Sequence, residues 1–423
     1  MDAKSVKMNK EIYGKTCIYW RAGRCNRNPC KFMHAETPST HTSYPGINAK
    51  SKICGKKHHS SYKIISKSKK TLVQKSEDRD GTNVVVSKKS SRTICKYWTN
   101  NRCLYSEQCI NLHSWFQSDE FSTIAELHQH KKAITGITLL AGTNKLYSGS
   151  TDGTVRIWDC HTGQSLKVIN FGTEVNSLIS EGPWIFVGLK NAIKAFNTKT
   201  NLEYTLDGPK GRILHMAVGN DILFAGAEDG VITAWRESSE TKSPFELAGS
   251  LIGHTESVVC LIVSLNVGWN MLYSGSMDQS IKVWNIDTLQ CTMTLNEHIG
   301  VVTSLLCWEK YLFSSSYDGT IKIWAMTEVG TLAVVYTHNE QSGIISLFGM
   351  HDANGKPILF SSCTGNLVCM YELPSFSERG RLFAKKEITS FGLVADGGLF
   401  LTGDGTGLLR VWKWNELPKV ASN

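Results

Sequence analysis

One fourteen-residue unit, recurring through the C-terminal two-thirds of the chain, limits what this sequence can fold into more than any other feature. LYSGSTDGTVRIWD (146–159), LFAGAEDGVITAWR (223–236), LYSGSMDQSIKVWN (272–285) and LFSSSYDGTIKIWA (312–325) are versions of it. Each reads as an apolar strand, a tight turn of the Asp-Gly kind and an alternating strand that ends in Trp, the signature of a β-hairpin. Weaker copies, WIFVGLKNAIKAFN (184–197), LFSSCTGNLVCMYE (359–372) and LFLTGDGTGLLRVWKW (399–414), fill the gaps. The aromatic anchors Trp158, Phe196, Trp235, Trp284, Trp324, Tyr371 and Trp412 are then 38, 39, 49, 40, 47 and 41 residues apart, giving seven units. A period of this length marks an array in which each unit buries its apolar face against its neighbours.

This pattern resembles the WD40 family. The resemblance implies an all-β fold, a seven-bladed WD40 β-propeller over residues 120–415. It also implies a hydrogen-bonded tetrad of His, Ser, turn Asp and strand Trp, which these units supply as His130, Ser150, Asp152 and Trp158; His254, Ser276, Asp278 and Trp284; and His298, Ser316, Asp318 and Trp324. Such groups are structural, because a buried Asp and His must satisfy one another. A Ser/His/Asp hydrolase is excluded on the same ground, since a nucleophilic site does not repeat every 40 residues or so. STIAELHQH (122–130) is the segment expected to supply the outer strand of the last blade and so to remove the exposed sheet edges.

Upstream the cysteines are clustered. Cys17, Cys25, Cys30 and His34 follow C-x7-C-x4-C-x3-H, and Cys95, Cys103, Cys109 and His113 follow C-x7-C-x5-C-x3-H. Three thiolates and an imidazole close a tetrahedral shell around zinc and leave no position for a catalytic water, so two structural Zn2+ ions are expected. A core this small folds only with its metal. The spacing resembles the CCCH zinc-finger family. Well-studied fingers of that family stack RNA bases on aromatics two residues after the second and third Cys. This chain keeps half of that set: Phe32 and Tyr105 are present, but Arg27 and Asn111 stand at the other two places. Trp20 and Trp98, three residues after each first Cys, either stack bases or cover the metal. Arg24, Arg27, Lys31, Lys96 and Arg102 are the nearby candidates for phosphate contacts.

Charge divides the chain in the same way. Residues 1–118 carry 23 Lys and Arg against 7 Asp and Glu, whereas the remainder carries 23 against 30, so that a basic arm precedes an acidic body. A basic arm of this kind fits a polyanion partner. Thirteen cysteines without a secretory signal point to a reducing compartment rather than a disulfide scaffold. No apolar run is long enough to span a bilayer, so neither secretion nor a membrane is expected, and dispersed Lys clusters are compatible with the nucleus.

The domain reading is a disordered start (1–10), finger one (11–36), a disordered basic linker (37–90), finger two (91–116), the propeller (120–415) and a short tail (416–423). Fingers and propeller are expected to fold independently. The whole arrangement resembles plant-type proteins that join CCCH fingers to a WD40 propeller. No phosphate-binding loop or catalytic constellation is present, so the chain reads as a non-enzymatic adaptor without a small-molecule substrate. Its fingers bind nucleic acid, preferably single-stranded RNA with DNA as a variant, and its propeller binds protein partners. Two other readings compete: a purely protein-binding scaffold, and a substrate receptor of a ubiquitin ligase. The second of these lacks the Arg of the Trp-Asp-x-Arg motif at both Trp158 and Trp284.

Overall fold

A computed structural model describes residues 93–105, 109–117, 121–140, 142–238, 243–266, 269–352, 354–394 and 398–415. Cys17, Cys25, Cys30 and His34, the candidate contacts Trp20, Arg24, Arg27, Lys31 and Phe32, the linker and the C-terminal tail lie outside the described residues.

Every repeat unit forms antiparallel strands, because alternating apolar residues flank a turn that needs a left-handed residue. Gly153 and Gly319 occupy that place at φ 85° and 82°, and Gln279 adopts it at 70° in the unit that lacks the glycine.

Strands β1 (Phe116–Gln117) and β2 (Phe121–Leu127) come first in the chain but join sheets that are completed at its end. Strands β3 (Ile134–Leu139), β4 (Lys145–Ser150), β5 (Thr154–Asp159) and β6 (Ser165–Asn170) make one four-stranded sheet. Next come β7 (Ser177–Glu181), β8 (Trp184–Gly188), β9 (Lys190–Asn197), β10 (Glu203–Gly219), β11 (Ile222–Ala227), β12 (Ile232–Glu237) and β13 (Phe245–Leu251), all hydrogen-bonded in a single seven-stranded sheet. Two four-stranded sheets follow: β14 (Val258–Asn266), β15 (Trp269–Ser276), β16 (Ile281–Asn285) and β17 (Cys291–Leu295); then β18 (Val302–Trp308), β19 (Tyr311–Ser316), β20 (Thr320–Met326) and β21 (Leu332–Asn339). The strands β22 (Ile344–His351), β23 (Pro357–Cys363), β24 (Leu367–Glu372) and β25 (Ser377–Phe383) take β1 as a fifth member. Finally β26 (Ile388–Val394), β27 (Leu399–Asp404) and β28 (Leu409–Trp414) take β2.

The expected seven separate blades are therefore corrected: the described strands form six sheets, five of them single blades of four or five strands and one of seven strands. The cause is β10, a run of 17 residues. Its first half pairs with β9 and its second half with β11, with a register shift between Asp207 and Arg212, so the connection that would have separated two blades stays extended and hydrogen-bonded.

The expected closure is present. β2 pairs antiparallel with β28, with Phe121 opposite Trp414 and Leu127 opposite Leu409. Apolar cores lie between neighbouring sheets; Phe224 and Ile222 of β11, for example, pack with Val258, Leu261, Leu272 and Trp284 of the next sheet. At the seam between last and first sheets a Cβ on Gly403 would lie 2.6 Å from the side chain of Ile134, so only glycine allows this approach. Inner strands, among them β3, β10, β14 and β26, surround a channel of about 470 Å3. Among the described residues no helix is long and apolar enough to cross a membrane.

Candidate metal centre and polar tetrads

The second Cys/His quartet is assembled by short-range backbone bonds. Cys95 N–H donates to Leu112 O at 2.9 Å and Leu112 N–H to Thr93 O at 3.0 Å, which brings the first ligand beside the last. A 3-10 turn, Trp98–Asn100, then reverses the chain. It ends at Asn101, which takes the left-handed conformation at φ 55° with its N–H on Trp98 O. The ligand atoms of Cys95, Cys103, Cys109 and His113 all lie within 4.8 Å of one another.

Two observations fit this quartet to a metal ion. His113 Nε2 is shielded from solvent and has no hydrogen-bond partner among the described residues, a costly arrangement unless the nitrogen is a ligand. Burial acts to raise the Cys95 thiol, but the Trp98 N–H and the neighbouring His113 and Cys103 outweigh it and bring it down to about 7, favouring the thiolate. Three thiolates and an imidazole in a closed shell suit zinc in a structural role.

The structure assigns the surrounding residues differently from one another. Lys96 and Arg102 are exposed, and Tyr105 is 43% exposed. Trp98 is half-buried: it lies parallel to the His113 ring at 5.7 Å and against Trp115 at 5.0 Å. Sequence reasoning missed Tyr97, 50% exposed, and Leu104 and Ile110, each about four-fifths exposed. Tyr97 adjoins Trp98 in the CKYW segment, and that adjacency was the available signal.

Finger two packs against the propeller. Its exit strand β1 pairs with β25, placing Phe116 opposite Leu382 and Gln117 opposite Arg381, and Phe383 N–H donates to Trp115 O at 2.8 Å. Phe116 packs on Phe121 and Trp412 at 5.4 and 6.0 Å. The buried Arg410 guanidinium lies 4.2 Å over the Trp115 ring and donates to Glu126 Oε1 at 2.8 Å.

Within the propeller the tetrads form, but with a corrected serine. His130 Nδ1 meets Asp152 at 3.0 Å and its Nε2 meets Ser148, not Ser150, at 2.8 Å; Trp158 Nε1–H donates to the same Ser148 at 2.8 Å. Likewise His254 joins Asp278 and Ser274, to which Trp284 donates, and His298 joins Asp318 and Ser314, to which Trp324 donates. Ser150, Ser276 and Ser316 instead accept the N–H of Asp152, Asp278 and Asp318, each at 3.1 Å. Both serines of each pair face the same side of the strand, because strand side chains repeat every two residues. Only the one ten residues before the Trp lies under its indole. In the last sheet Thr402 serves Trp412 in the same way at 2.9 Å.

These networks set a pH dependence. Burial lowers His130, His254 and His298 below the ordinary imidazole value of 6.5, against the opposing pull of their Asp partners. His215, beside the channel, is brought down to about 4 by desolvation, and its Nδ1 accepts Leu261 N–H. Asp152 and Asp278 fall from 3.8 to about 2, because hydroxyl, backbone N–H and imidazole donors overcome the desolvation that opposes them. In every case the folded value lies below the unfolded one, so the unfolded chain binds more protons on acidification and stability falls. The melting temperature should therefore decline steadily from pH 6.5 down through pH 4, through the histidines, and further between 3.8 and 2, through Asp152 and Asp278. A calorimetric pH series checks this, and a melting temperature that rises on acidification from neutrality would contradict it.

Comparison with known proteins agrees with both halves of the chain. The family model "WD domain, G-beta repeat" matches residues 121–159, 245–285 and 289–325. "Zinc finger CCCH domain-containing protein 17" of Oryza sativa subsp. japonica is 47% identical, covering 95% of this chain and 91% of its own. "Zinc finger CCCH domain-containing protein 48" of Arabidopsis thaliana is 46% identical with the same coverage. The solved structure "Crystal structure of WD40 beta propeller domain of Doa1" aligns with a TM-score of 0.59 at 23% identity over 71% of this chain and 99% of its own, a likeness of fold. The chain belongs to the family of CCCH zinc finger proteins that carry a WD40 propeller.

Proposed function

We propose that the protein is a non-catalytic, zinc-dependent adaptor whose fingers bind single-stranded RNA and whose propeller binds protein partners. One observation carries the reading: around the ordered quartet, exposed Tyr97 and Tyr105 rings are interleaved with exposed Lys96 and Arg102. Aromatic faces stack on unpaired bases while cations hold phosphates, and neither needs a groove-reading helix. The names of the relatives, CCCH zinc finger proteins, support zinc as the ion. Support for protein partners comes from the loops beside two tetrads, where Ile252, Met277, Ile299 and Tyr317 are 75%, 40%, 84% and 53% exposed.

Filter binding of the full chain to single-stranded RNA and to duplex DNA across a salt series tests the proposal. Affinity for RNA should fall steeply with salt, and Lys96→Ala with Arg102→Ala should flatten that slope by about two phosphate contacts. Tyr97→Ala should weaken RNA binding by about 1–3 kcal/mol with little change in slope. Negligible retention of RNA at every salt concentration would leave the apolar rim alone and make the protein a scaffold for other proteins. Equal retention of duplex DNA would contradict the single-strand preference.

A further inference from the structure

The sheet of β22–β25 keeps the tetrad's space but not its residues. Ile344 pairs with Cys363 as Ile134 pairs with Ser150, and Leu359 pairs with Tyr371 as Leu146 pairs with Trp158. By this register Glu340 stands where His130 stands, Ser361 replaces Ser148, Tyr371 replaces Trp158, Gly365 replaces Asp152, and Cys363 replaces Ser150. The His–Asp–Ser–Trp network is therefore lost. In its place a carboxylate and two thiols converge: the ligand atoms of Glu340, Cys363 and Cys369 lie within 4.8 Å of one another. Cys363 and Cys369 are 1% and 4% exposed, and Tyr371 Oη–H donates to Glu340 Oε1 at 2.9 Å, holding the carboxylate toward them.

We propose that Glu340, Cys363 and Cys369 form a further metal site, separate from the fingers, for a thiophilic divalent cation such as zinc. Two buried sulfurs and one carboxylate oxygen from a half-buried Glu are a donor set that selects borderline-soft ions over calcium or magnesium. Binding displaces the thiol protons, so the dication meets two thiolates and a carboxylate. Arg381, directly across the ladder from Cys369 and paired with Glu378, lies beside this anionic group. The Tyr371 hydroxyl acts as the outer partner that orients the carboxylate.

The test uses the full chain, expressed with zinc, dialysed against a weak chelator and assayed for metal per chain by mass spectrometry. Wild type should hold one equivalent more than the C363S/C369S double variant, with the finger ligands intact in both. Titration with Cd2+ should give a sulfur-to-metal absorption band that is larger in wild type than in the double variant. Glu340→Gln keeps both thiols and can still accept the Tyr371 hydrogen bond, so it decides the matter should the double variant not fold. It should weaken the extra equivalent at least about tenfold. Equal metal content and equal Cd2+ absorption in wild type and the folded double variant would overturn the site, as would unchanged affinity in Glu340→Gln.

Discussion

Replacing Trp324 by Ala should lower the unfolding free energy by about 3–5 kcal/mol, the range for removing a large aromatic from a packed core. Its side chain is 1% exposed, and it belongs to the core in which Val302, Leu305 and Leu312 of its own sheet meet Tyr273, Ile281 and Val283 of the preceding one. It also donates to Ser314, which is shared with His298. Domains of ordinary stability have only about 5–15 kcal/mol in total, so this one change removes a large fraction. Two serine variants separate the roles within the tetrad. Ser314→Ala leaves the buried Trp324 N–H and His298 Nε2 without their common partner and should cost about 1–3 kcal/mol; Ser316→Ala removes one turn bond and should cost about 1 kcal/mol. Urea unfolding with unchanged slopes measures all three. A Trp324→Ala midpoint equal to wild type, or a larger loss for Ser316→Ala than for Ser314→Ala, would refute the assignment.

Stripping the metal from finger two should both end the proposed RNA binding by that finger and loosen the propeller. Structural zinc contributes about 10–16 kcal/mol to the folding of isolated finger peptides, so without it the quartet has no comparable driving force. Trp115 and Phe116 then lose the anchor that holds them on Arg410 and on the Phe121–Trp412 pair. The stacked guanidinium alone is worth about 0.5–2 kcal/mol, and at about 2–4 °C per kcal/mol the propeller transition should fall by several degrees. Cys109→Ser should reproduce the effect of the chelator, whereas Trp115→Ala should give the stability loss with the metal still bound. Calorimetry with and without chelator reads the result, and a propeller transition identical in both would show that the β1–β25 pairing contributes nothing to stability.

Much of this fold was legible because it repeats. A hairpin that ends in Trp every 40 residues or so declares its strands, and the leftover segment 122–130 could be assigned to the last blade simply because the last unit needed an outer strand; the strand that pairs with β28 there is Phe121–Leu127. The Cys/His quartet was legible because ligand spacing is imposed by the ion. Three features were not. Ser148 and Ser150 share one face of β4, so periodicity could not choose between them; only the reach of the indole does. The segment 203–219 contains GPKG, which reads as a break between blades, yet backbone pairing on both flanks carries the strand through it. The docking of finger two depends on Arg410 meeting Trp115 across nearly 300 residues of sequence, a contact that no local pattern encodes.

Because β2 lies against β28, the ring cannot latch during synthesis until residue 414 has left the ribosome. Until then β2 has no sheet to join, its amides and carbonyls stay unmet, and any sticky neighbour can usurp the place reserved for the last strand. Truncation even a few residues before Trp414 should therefore yield aggregates rather than a slightly weakened ring, and birth of this protein should lean on chaperones more than its finished stability suggests.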